Sequence, residues 1–316
     1  SLKARLCVEG RREIYRLSQE HGIPAKKCGK IVVATTPEET EQLHKLLKKG
    51  RENGVEGLRM LTGAQVMKRE PHVSAIEGLL SPESGIVDSH ALMSYYRRKA
   101  EEQGAFVVVD CTVTDLEKVG DGWKVTYRDS DGVDSTTAAT VVNAAGLGAQ
   151  DVMRMAGLDP DENDLTLHMC KGEYFTVKPS KADKVKCLVY PMPGANLKSL
   201  GIHTVVDMGG MFKLGPSAFY VDEIDYSVDE SNIRAFHESV SPYLPFLDES
   251  DLAPDFAGIR PKLSAEGEPA RDFHIRHESE AGLEGFVNVA GIDSPGLTAA
   301  PAIGRYVAET VAGLIR

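Results

Sequence analysis

The sequence predicts an α/β fold in which a doubly wound domain is interleaved with an antiparallel-sheet domain. Short apolar runs that end in small residues and lead into helical patterns recur, most clearly at residues 140–156 and 286–315. Residues 165–221 instead show alternating polarity and many glycines, which indicates antiparallel strands. Because the doubly wound pattern stops and later resumes, we expect its domain to be discontinuous along the chain.

The first third of the chain supplies helices around single strands. Residues 2–20 form an amphipathic pattern, and a strand at residues 30–34 precedes a second helix over residues 37–53. Pro37 suits the first position of that helix. Residues 105–109, Ala-Phe-Val-Val-Val, are continuously apolar, which is typical of a strand buried on both faces.

The rest of the chain is punctuated by glycines and turn residues. The predicted elements are a short helix from residue 62 to Pro71, a helix at 91–103, a hairpin within 112–137 that turns at Asp131 and Gly132, a buried strand at 140–143, helices at 149–156 and 229–241, and strands near 256–263 and 272–276.

Composition limits the class of protein. A chain of 316 residues with 42% hydrophobic and 26% charged residues is long enough for two domains with a sizeable core. The net charge of −11 argues against a nucleic-acid partner but leaves room for a local basic pocket. No apolar run is long enough to span a membrane, so we expect a cytoplasmic protein, with peripheral membrane contact as the alternative.

Cysteine and histidine usage points to no metal. The five cysteines are odd in number and form no C-x-x-C, so we expect reduced thiols. No group of histidines, cysteines and carboxylates has the spacing of a metal site.

The most informative stretch lies near the end of the chain. An apolar run at residues 286–290 stops at Gly291, and after a short loop a helix continues almost to Arg316. A strand, a glycine-rich loop and a helix N-terminus together present backbone N–H groups and a positive dipole end. Such a site suits an anion or the electron-rich edge of a ring.

Residues 291–298, Gly-Ile-Asp-Ser-Pro-Gly-Leu-Thr, resemble the C-terminal flavin-binding segment of FAD-dependent oxidoreductases of the D-amino-acid-oxidase superfamily. Within that superfamily, Ser-Pro-Gly-Leu-Thr is similar to the L-2-hydroxyglutarate dehydrogenase/oxidase family. The resemblance extends over essentially all 316 residues. It implies FAD as the cofactor and oxidation of an L-2-hydroxy acid, L-2-hydroxyglutarate above all, by hydride transfer to FAD. It also implies an electron acceptor, a quinone or oxygen, between which the sequence does not decide.

The same resemblance divides the chain into domains. It implies an FAD-binding domain at residues 1–20, 88–160 and 256–316 and a substrate domain at residues 21–87 and 161–255. Flavoproteins of this type open with a strand, a G-x-G-x-x-G turn and a helix that holds the FAD pyrophosphate. No G-x-G-x-x-G follows a strand here, so we expect the chain to lack the first βαβ unit and to retain FAD weakly.

A second cofactor segment is Val-Val-Asn-Ala-Ala-Gly at residues 141–146. Small residues at the carboxyl end of a strand let a ligand approach the backbone, although tight helix–strand packing explains them equally simply. The resemblance implies an FAD contact here and at Val113, for which a plain core valine is the alternative. The implied FAD residues are Val113, Ala145, Gly146, Gly291, Ser294, Pro295, Gly296, Leu297 and Thr298.

Three further motifs carry candidate substrate residues. Lys171 begins Lys-Gly-Glu-Tyr-Phe and would ordinarily be a solvated lysine on an edge strand. His203 lies in Gly-Ile-His-Thr, where a satisfied structural histidine is the commoner state. Arg260 lies in Gly-Ile-Arg-Pro, where Pro261 extends the backbone and Gly258 removes bulk, and a structural ion pair is an equal alternative.

The resemblance implies a role for each of these residues. His203 would be the base that takes the hydroxyl proton, since imidazole titrates near neutral pH. Arg260 would hold the C1 carboxylate through its guanidinium fork, and Lys171 would meet the second carboxylate of a dicarboxylic hydroxy acid.

Two other functions remain open at this stage. An amine or amino-acid oxidase of the same superfamily needs no base for a hydroxyl, so His203 argues against it. The alternative is a flavin-free binding protein or subunit that has lost its nucleotide-binding βαβ unit, and the missing G-x-G-x-x-G supports it.

Overall fold

The computed structural model describes residues 1–192 and 201–315. Its helices are α1 Leu2–His21, α2 Pro37–Glu52, α3 Gly63–Arg69, α4 Ser89–Glu102, α5 Ala149–Met155, α6 Ile233–Val240 and α7 Gly296–Leu314. Its strands are β1 Ala25–Lys26, β2 Lys30–Ala34, β3 Arg59–Thr62, β4 Glu77–Ser81, β5 Ile86–Val87, β6 Thr112–Val119, β7 Gly122–Asp129, β8 Gly132–Ala138, β9 Val141–Asn143, β10 His168–Val177, β11 Leu188–Pro191, β12 His203–Val206, β13 Phe212–Gly215, β14 Phe219–Val221, β15 Leu252–Lys262, β16 His274–His277 and β17 Phe286–Ala290. Across the part of the chain that is described, no helix is both long and apolar enough to cross a membrane.

Local sequence sets the start of α2. The Thr36 hydroxyl accepts a bond from the backbone N–H of Glu39, and the Glu39 carboxylate accepts one from the backbone N–H of Thr36. This capping box satisfies N–H groups that the first turn leaves without a helical partner. The predicted helix start at Pro37 is therefore confirmed.

The chain forms two compact units, each assembled from separate segments. The first unit contains Ser1–Leu17, Ser89–Met169 and Arg260–Arg316. The second unit contains Ser18–Asp88 and Cys170–Ile259. The chain therefore passes from one unit to the other within α1, β10 and β15 as well as just before α4.

Helices cover both faces of the central sheet of the first unit. This sheet has the order β16–β17–β9, with β17 parallel to β9 and antiparallel to β16. Val289 of β17 packs with Leu6 of α1 and Ala302 of α7, whereas the adjacent Ala290 packs with Met153 of α5. Successive strand residues point to opposite faces. The predicted doubly wound arrangement of a mixed α/β fold is thus confirmed.

The predicted hairpin of the first unit is also confirmed. Strands β6, β7 and β8 form a three-stranded antiparallel sheet in which Asp129 pairs with Gly132 across the turn. Trp123 of β7 is buried against Phe286, and its indole N–H donates to the carbonyl of Glu284 at 3.0 Å.

Two larger sheets build the second unit, beside the two-stranded sheet β1–β5. One has the order β11–β2–β4–β3, and the other has the order β12–β13–β10–β14 with β15 also paired to β10. Side chains from both sheets and from α6 share one apolar core, whose members include Ile31, Val33, Leu80, Phe175, Val177, Val189, Phe212, Leu214, Phe236 and Val240.

The prediction of a buried strand at residues 105–109 is wrong. These residues belong to no helix or strand, and Phe106 is 93% exposed while Val108 is 68% exposed. An apolar run is buried as a strand only when neighbouring strands and helices cover it. None of the described strands pairs with residues 105–109. The strand predicted at 140–143 exists, but it pairs only with β17 among the described strands and leaves Val142 40% exposed.

Candidate active site

Two predicted cofactor segments lie at one edge of the first unit's sheet. The parallel strands β9 and β17 pair Asn143 with Asn288, so their carboxyl ends face the same way. Ala145 and Gly146 follow β9, and the loop that begins at Gly291 follows β17. Gly146 has a φ of 59°, and a Cβ added there would meet no atom within 4 Å. The edge therefore combines two backbone turns with open space beside one of them.

A buried asparagine holds the first turn. Asn143 is 2% exposed, and its amide donates to the Ala149 carbonyl and to Asn288 Oδ1, both at 2.9 Å. Asn143 Oδ1 accepts a bond from the backbone N–H of Ala145 at 3.3 Å. Sequence analysis did not select Asn143, although a polar residue at the end of an apolar strand was the available signal. Its side chain fixes the backbone that the resemblance assigns to FAD.

The hydrogen bonds continue beneath the sheet. Asn288 donates to Glu278 Oε1 at 3.1 Å, and His274 Nε2 lies 2.6 Å from the same oxygen. Burial acts to raise the pKa of Glu278, but the bonds from His274 and Asn288 outweigh it, so this pKa lies below its usual value. A charged carboxylate thus ends the chain of polar groups that begins at the Ala145 turn.

The loop after β17 is folded onto itself. Gly291 has a φ of 64°, and an added Cβ would lie 2.5 Å from Leu263 Cδ1, so only glycine fits. The Asp293 N–H donates to the Gly291 carbonyl at 2.9 Å, and the Gly296 N–H donates to the Asp293 carbonyl at 2.6 Å. Lys3 Nζ lies 2.8 Å from Asp293 Oδ1 and ties the loop to α1. Ser294 and Pro295 lie within this loop.

The N-terminus of α7 begins at the end of this loop. Leu297 and Thr298 lie in its first turn, where N–H groups have no partner inside the helix and the dipole is positive. Helix α1 approaches closely, since a Cβ added at Gly10 would lie 2.2 Å from the carbonyl oxygen of Thr298. Backbone donors, small residues and open space at one sheet edge fit the electron-rich edge of a flavin.

Val113 lies on β6 at an irregularity of the sheet. The pairing of β6 with β7 shifts register between Val113 and Asp115. The side chain of Val113 packs against a core cluster that contains Leu116, Trp123 and Phe286. These contacts suit a core valine, and a contact between its backbone and FAD stays a proposal.

His203 is buried in the second unit and is held on two sides. The residue is 6% exposed, its Nδ1 lies 3.0 Å from the Gly201 carbonyl, and its ring stacks on Tyr190. A carbonyl only accepts, so Nδ1 carries the proton in this bond and the neutral ring has its lone pair on Nε2. Burial raises the pKa of Tyr190, so the stacked phenol stays uncharged.

The backbone before His203 is also fixed. Gly201 has a φ of 73°, and an added Cβ would lie 2.7 Å from Pro191 Cγ. The Tyr243 hydroxyl donates to the carbonyl of Ile202 at 2.6 Å. The glycine conformation and this hydrogen bond therefore hold the backbone that carries the imidazole.

Lys171 lies on β10 and is not the solvated lysine that was its alternative. Its side chain is 5% exposed, and Nζ lies 2.7 Å from Asp225 Oδ2 and 3.9 Å from Glu173 Oε1. Asp225 was missed by sequence analysis because it lies 54 residues away along the chain. The pKa of Asp225 lies well below its usual value, because Lys171 and then Ser227 donate hydrogen bonds to its carboxylate.

Arg260 is half-buried on β15, in the extended conformation that Pro261 predicts. Gly258 leaves open space, since a Cβ added there would meet no atom within 4 Å. Arg260 and the cofactor residues belong to the first unit, whereas Lys171 and His203 belong to the second.

Comparison with known proteins identifies the family. The family model described as FAD dependent oxidoreductase (DAO) matches residues 1–310. The chain is 35% identical to the mitochondrial L-2-hydroxyglutarate dehydrogenase of Arabidopsis thaliana, over 98% of this chain and 71% of that protein. It is 29% identical to the Mus musculus protein of the same name, over 98% of this chain and 75% of that protein.

Solved structures show the same fold. FAD-bound L-alpha-glycerophosphate oxidase from Mycoplasma pneumoniae superposes with a TM-score of 0.81 at 23% identity, over 98% of this chain and 80% of that one. L-proline dehydrogenase from P. horikoshii also gives a TM-score of 0.81, at 20% identity over 98% and 78% of the two chains. With a family match along nearly its whole length, this chain belongs to the DAO family of FAD-dependent oxidoreductases.

Proposed function

We propose that this protein oxidises L-2-hydroxyglutarate to 2-oxoglutarate. The observation that carries the proposal is the 35% identity, over 98% of the chain, to a protein named L-2-hydroxyglutarate dehydrogenase. The arrangement of His203 supports it, since the oxidation of an alcohol needs a base for the hydroxyl proton and an amine oxidation does not.

The chain supplies groups for binding the cofactor and for handling protons. Ala145, Gly146 and the first turn of α7 would hold FAD through their backbone groups. When bound, FAD supplies the acceptor for the hydride that leaves the substrate Cα. His203 takes the hydroxyl proton on Nε2, because its Nδ1 proton is engaged by the Gly201 carbonyl. The C–O bond becomes a carbonyl as proton and hydride leave.

Two basic residues orient the substrate. Arg260 holds the C1 carboxylate, for which a planar guanidinium is better suited than an ammonium. Lys171 Nζ meets the distal carboxylate, which makes the substrate a dicarboxylic acid. Residues 1–17, 89–169 and 260–316 serve as the FAD-binding domain and the other unit as the substrate domain.

The experiment is anaerobic reduction of FAD by candidate substrates. The protein, supplied with FAD, is mixed with L-2-hydroxyglutarate, D-2-hydroxyglutarate, glycine or L-proline, and the absorbance of oxidised flavin is followed. We expect bleaching by L-2-hydroxyglutarate alone. Bleaching by an amino acid in place of the hydroxy acid would contradict the proposal and support an amino-acid oxidase.

Turnover also needs an electron acceptor, a quinone or oxygen. The two acceptors are separated by one measurement of turnover with L-2-hydroxyglutarate, in which oxygen consumption is recorded with and without a soluble quinone. Hydrogen peroxide production at the full turnover rate identifies oxygen, and a rate that depends on the quinone identifies the quinone.

A further inference from the structure

Lys171 is a buried ammonium beside two different carboxylates. Its side chain is 5% exposed, with Asp225 Oδ2 at 2.7 Å and Glu173 Oε1 at 3.9 Å. A buried cation is stable only when an anion or several dipoles compensate it. Asp225 is the nearer partner, and the two carboxylates differ in how firmly the fold holds them.

Glu173 is part of the rigid framework of the second unit. Its side chain is 1% exposed, and its two oxygens accept bonds from the Asp229 N–H at 3.1 Å and the Asn232 amide at 2.7 Å. Its own backbone N–H donates to Ser217 Oγ at 2.9 Å. Glu173 cannot leave Lys171 without breaking these bonds, so it is a permanent neighbour.

Asp225 is held much less firmly. Its side chain is 57% exposed and lies in residues 222–229, which form no helix or strand. The flanking Ile224 and Tyr226 are each 56% exposed, so apolar packing does little to anchor this segment. Among the described residues, its other bonds are local and come from the Ser227 N–H at 2.9 Å and the Ser227 hydroxyl at 2.6 Å.

The exposed carboxylate of Asp225 pairs with the buried ammonium of Lys171 in the way that the second carboxylate of a bound dicarboxylic acid would. We propose that Asp225 occupies Lys171 in the absence of substrate, and that the distal carboxylate of a dicarboxylic acid displaces it. This inference rests on the proposed function, in which Lys171 binds that carboxylate. Asp225 then sets how strongly the site prefers dicarboxylates over monocarboxylates.

The charges explain why the exchange is selective. A dicarboxylate replaces one ion pair at Lys171 with another, and the released Asp225 returns to water at small cost because it is already half in solvent. An alkyl end cannot compensate the ammonium, so a monocarboxylate leaves the Asp225 pair in place. Removing the charge of Asp225 therefore helps dicarboxylates and does not help monocarboxylates.

The test is calorimetric binding of glutarate and pentanoate to the full chain in buffer that contains FAD. These probes have the same carbon chain, differ by one carboxylate, and lack the hydroxyl that would be oxidised. In Asp225→Asn we expect the glutarate Kd to fall about 3- to 10-fold, while the pentanoate Kd changes less than about 2-fold. Asparagine keeps an oxygen for Ser227, so the local turn is retained.

Two further variants complete the design. Asp222→Asn removes an exposed carboxylate from the same segment and should leave both Kd values unchanged. Lys171→Gln should abolish the preference for glutarate. Equal effects of Asp225→Asn and Asp222→Asn, weaker glutarate binding in Asp225→Asn, or no glutarate binding at all would overturn the inference.

Binding and turnover separate the two proposals. If Asp225→Asn tightens glutarate binding but the protein does not oxidise L-2-hydroxyglutarate, the carboxylate exchange at Lys171 is supported and the proposed substrate is wrong. If the protein oxidises L-2-hydroxyglutarate but Asp225→Asn and Asp222→Asn have the same Kd for glutarate, the proposed function is supported and the carboxylate exchange is wrong.

Discussion

Tyr190 stacks on His203 with ring centroids 3.7 Å apart and 20° between the ring planes. The two residues lie on β11 and β12, which belong to different sheets of the second unit. A parallel stack at this distance limits rotation of the imidazole about its last side-chain bond. The hydrogen bond to Gly201 fixes the tautomer of His203, and Tyr190 fixes the plane of its ring.

Replacing Tyr190 should therefore affect catalysis through orientation. In Tyr190→Ala we expect flavin reduction by L-2-hydroxyglutarate to slow by about 10-fold or more, because a misoriented base transfers protons poorly. Tyr190→Phe keeps the stack and should remain within a few-fold of the parent. Stopped-flow measurement at saturating substrate makes the comparison, and equal rates in the two variants would remove any positioning role.

Loss of the imidazole itself should be more severe. In His203→Ala we expect flavin reduction to slow by roughly 10²–10⁴-fold, with a smaller loss at high pH, where hydroxide replaces the base. Binding of glutarate should change little, because Lys171 and Arg260 are intact. His237, whose Nε2 bonds the Leu247 carbonyl, gives the matched control. His237→Ala should lower stability and spare the rate, and a His203→Ala variant with that same profile would make His203 structural.

The geometry of a guanidinium should matter at residue 260. In Arg260→Lys we expect KM for L-2-hydroxyglutarate to rise about 10-fold or more while the FAD content stays the same, because an ammonium cannot form the paired bonds. Arg276→Lys, at an exposed position of β16, is the control and should change neither quantity. An unchanged KM in Arg260→Lys would reassign this residue to a structural ion pair.

Alanine substitutions at two helical glycines should change the free energy of unfolding in opposite directions. A Cβ at Gly10 would lie 2.2 Å from the Thr298 carbonyl oxygen, so we expect Gly10→Ala to lower the free energy of unfolding by about 1–3 kcal/mol. Gly304 on α7 is exposed with no atom within 4 Å of an added Cβ, and Gly304→Ala should raise stability by about 0.5–1 kcal/mol. Urea unfolding of both variants measures the difference. A stabilised Gly10→Ala would mean that α1 and α7 are not closely packed there.

Acid should weaken the hydrogen bonds around Glu278. Since the folded pKa of Glu278 is lowered, its contribution to stability is present above the unfolded value of about 4.3 and is lost as pH falls through the folded pKa. The stability difference between the parent and Glu278→Gln should thus shrink as pH falls below about 5. Glu280→Gln, at an exposed position nearby, should show no such trend in urea unfolding across pH. A difference that grows on acidification would contradict the assignment.

The sequence predicts the strand, turn and helix of the proposed cofactor edge well because local signals determine these elements. The strand, glycine and helix after residue 286 can be predicted from residues that are adjacent in the sequence. In the structure β17, Gly291 and α7 follow in that order. Residues 105–109 show the opposite case. Their composition predicts a strand, but burial depends on which strands lie beside them, and that is a property of the assembled sheet.

The hydrogen-bond and stacking partners of the selected residues could not be predicted from the sequence. Lys171 and His203 could be selected from their motifs, but nothing in those motifs indicates Asp225 or Tyr190. These partners meet only when loops and separate sheets are brought together. The same holds for Asn143, whose bond to Asn288 joins strands that are 145 residues apart.

The segmented first unit has a consequence for its formation during synthesis. The Leu2 N–H donates to Asp272, and Leu6 packs against Phe273 and Ile303. The apolar stripe of α1 is synthesised well before the side chains that cover it. Most of the second unit lies between them and can fold earlier from its own segments. Between these two points of synthesis the apolar stripe of α1 is uncovered, and exposed apolar surface of this kind favours aggregation and binding by chaperones.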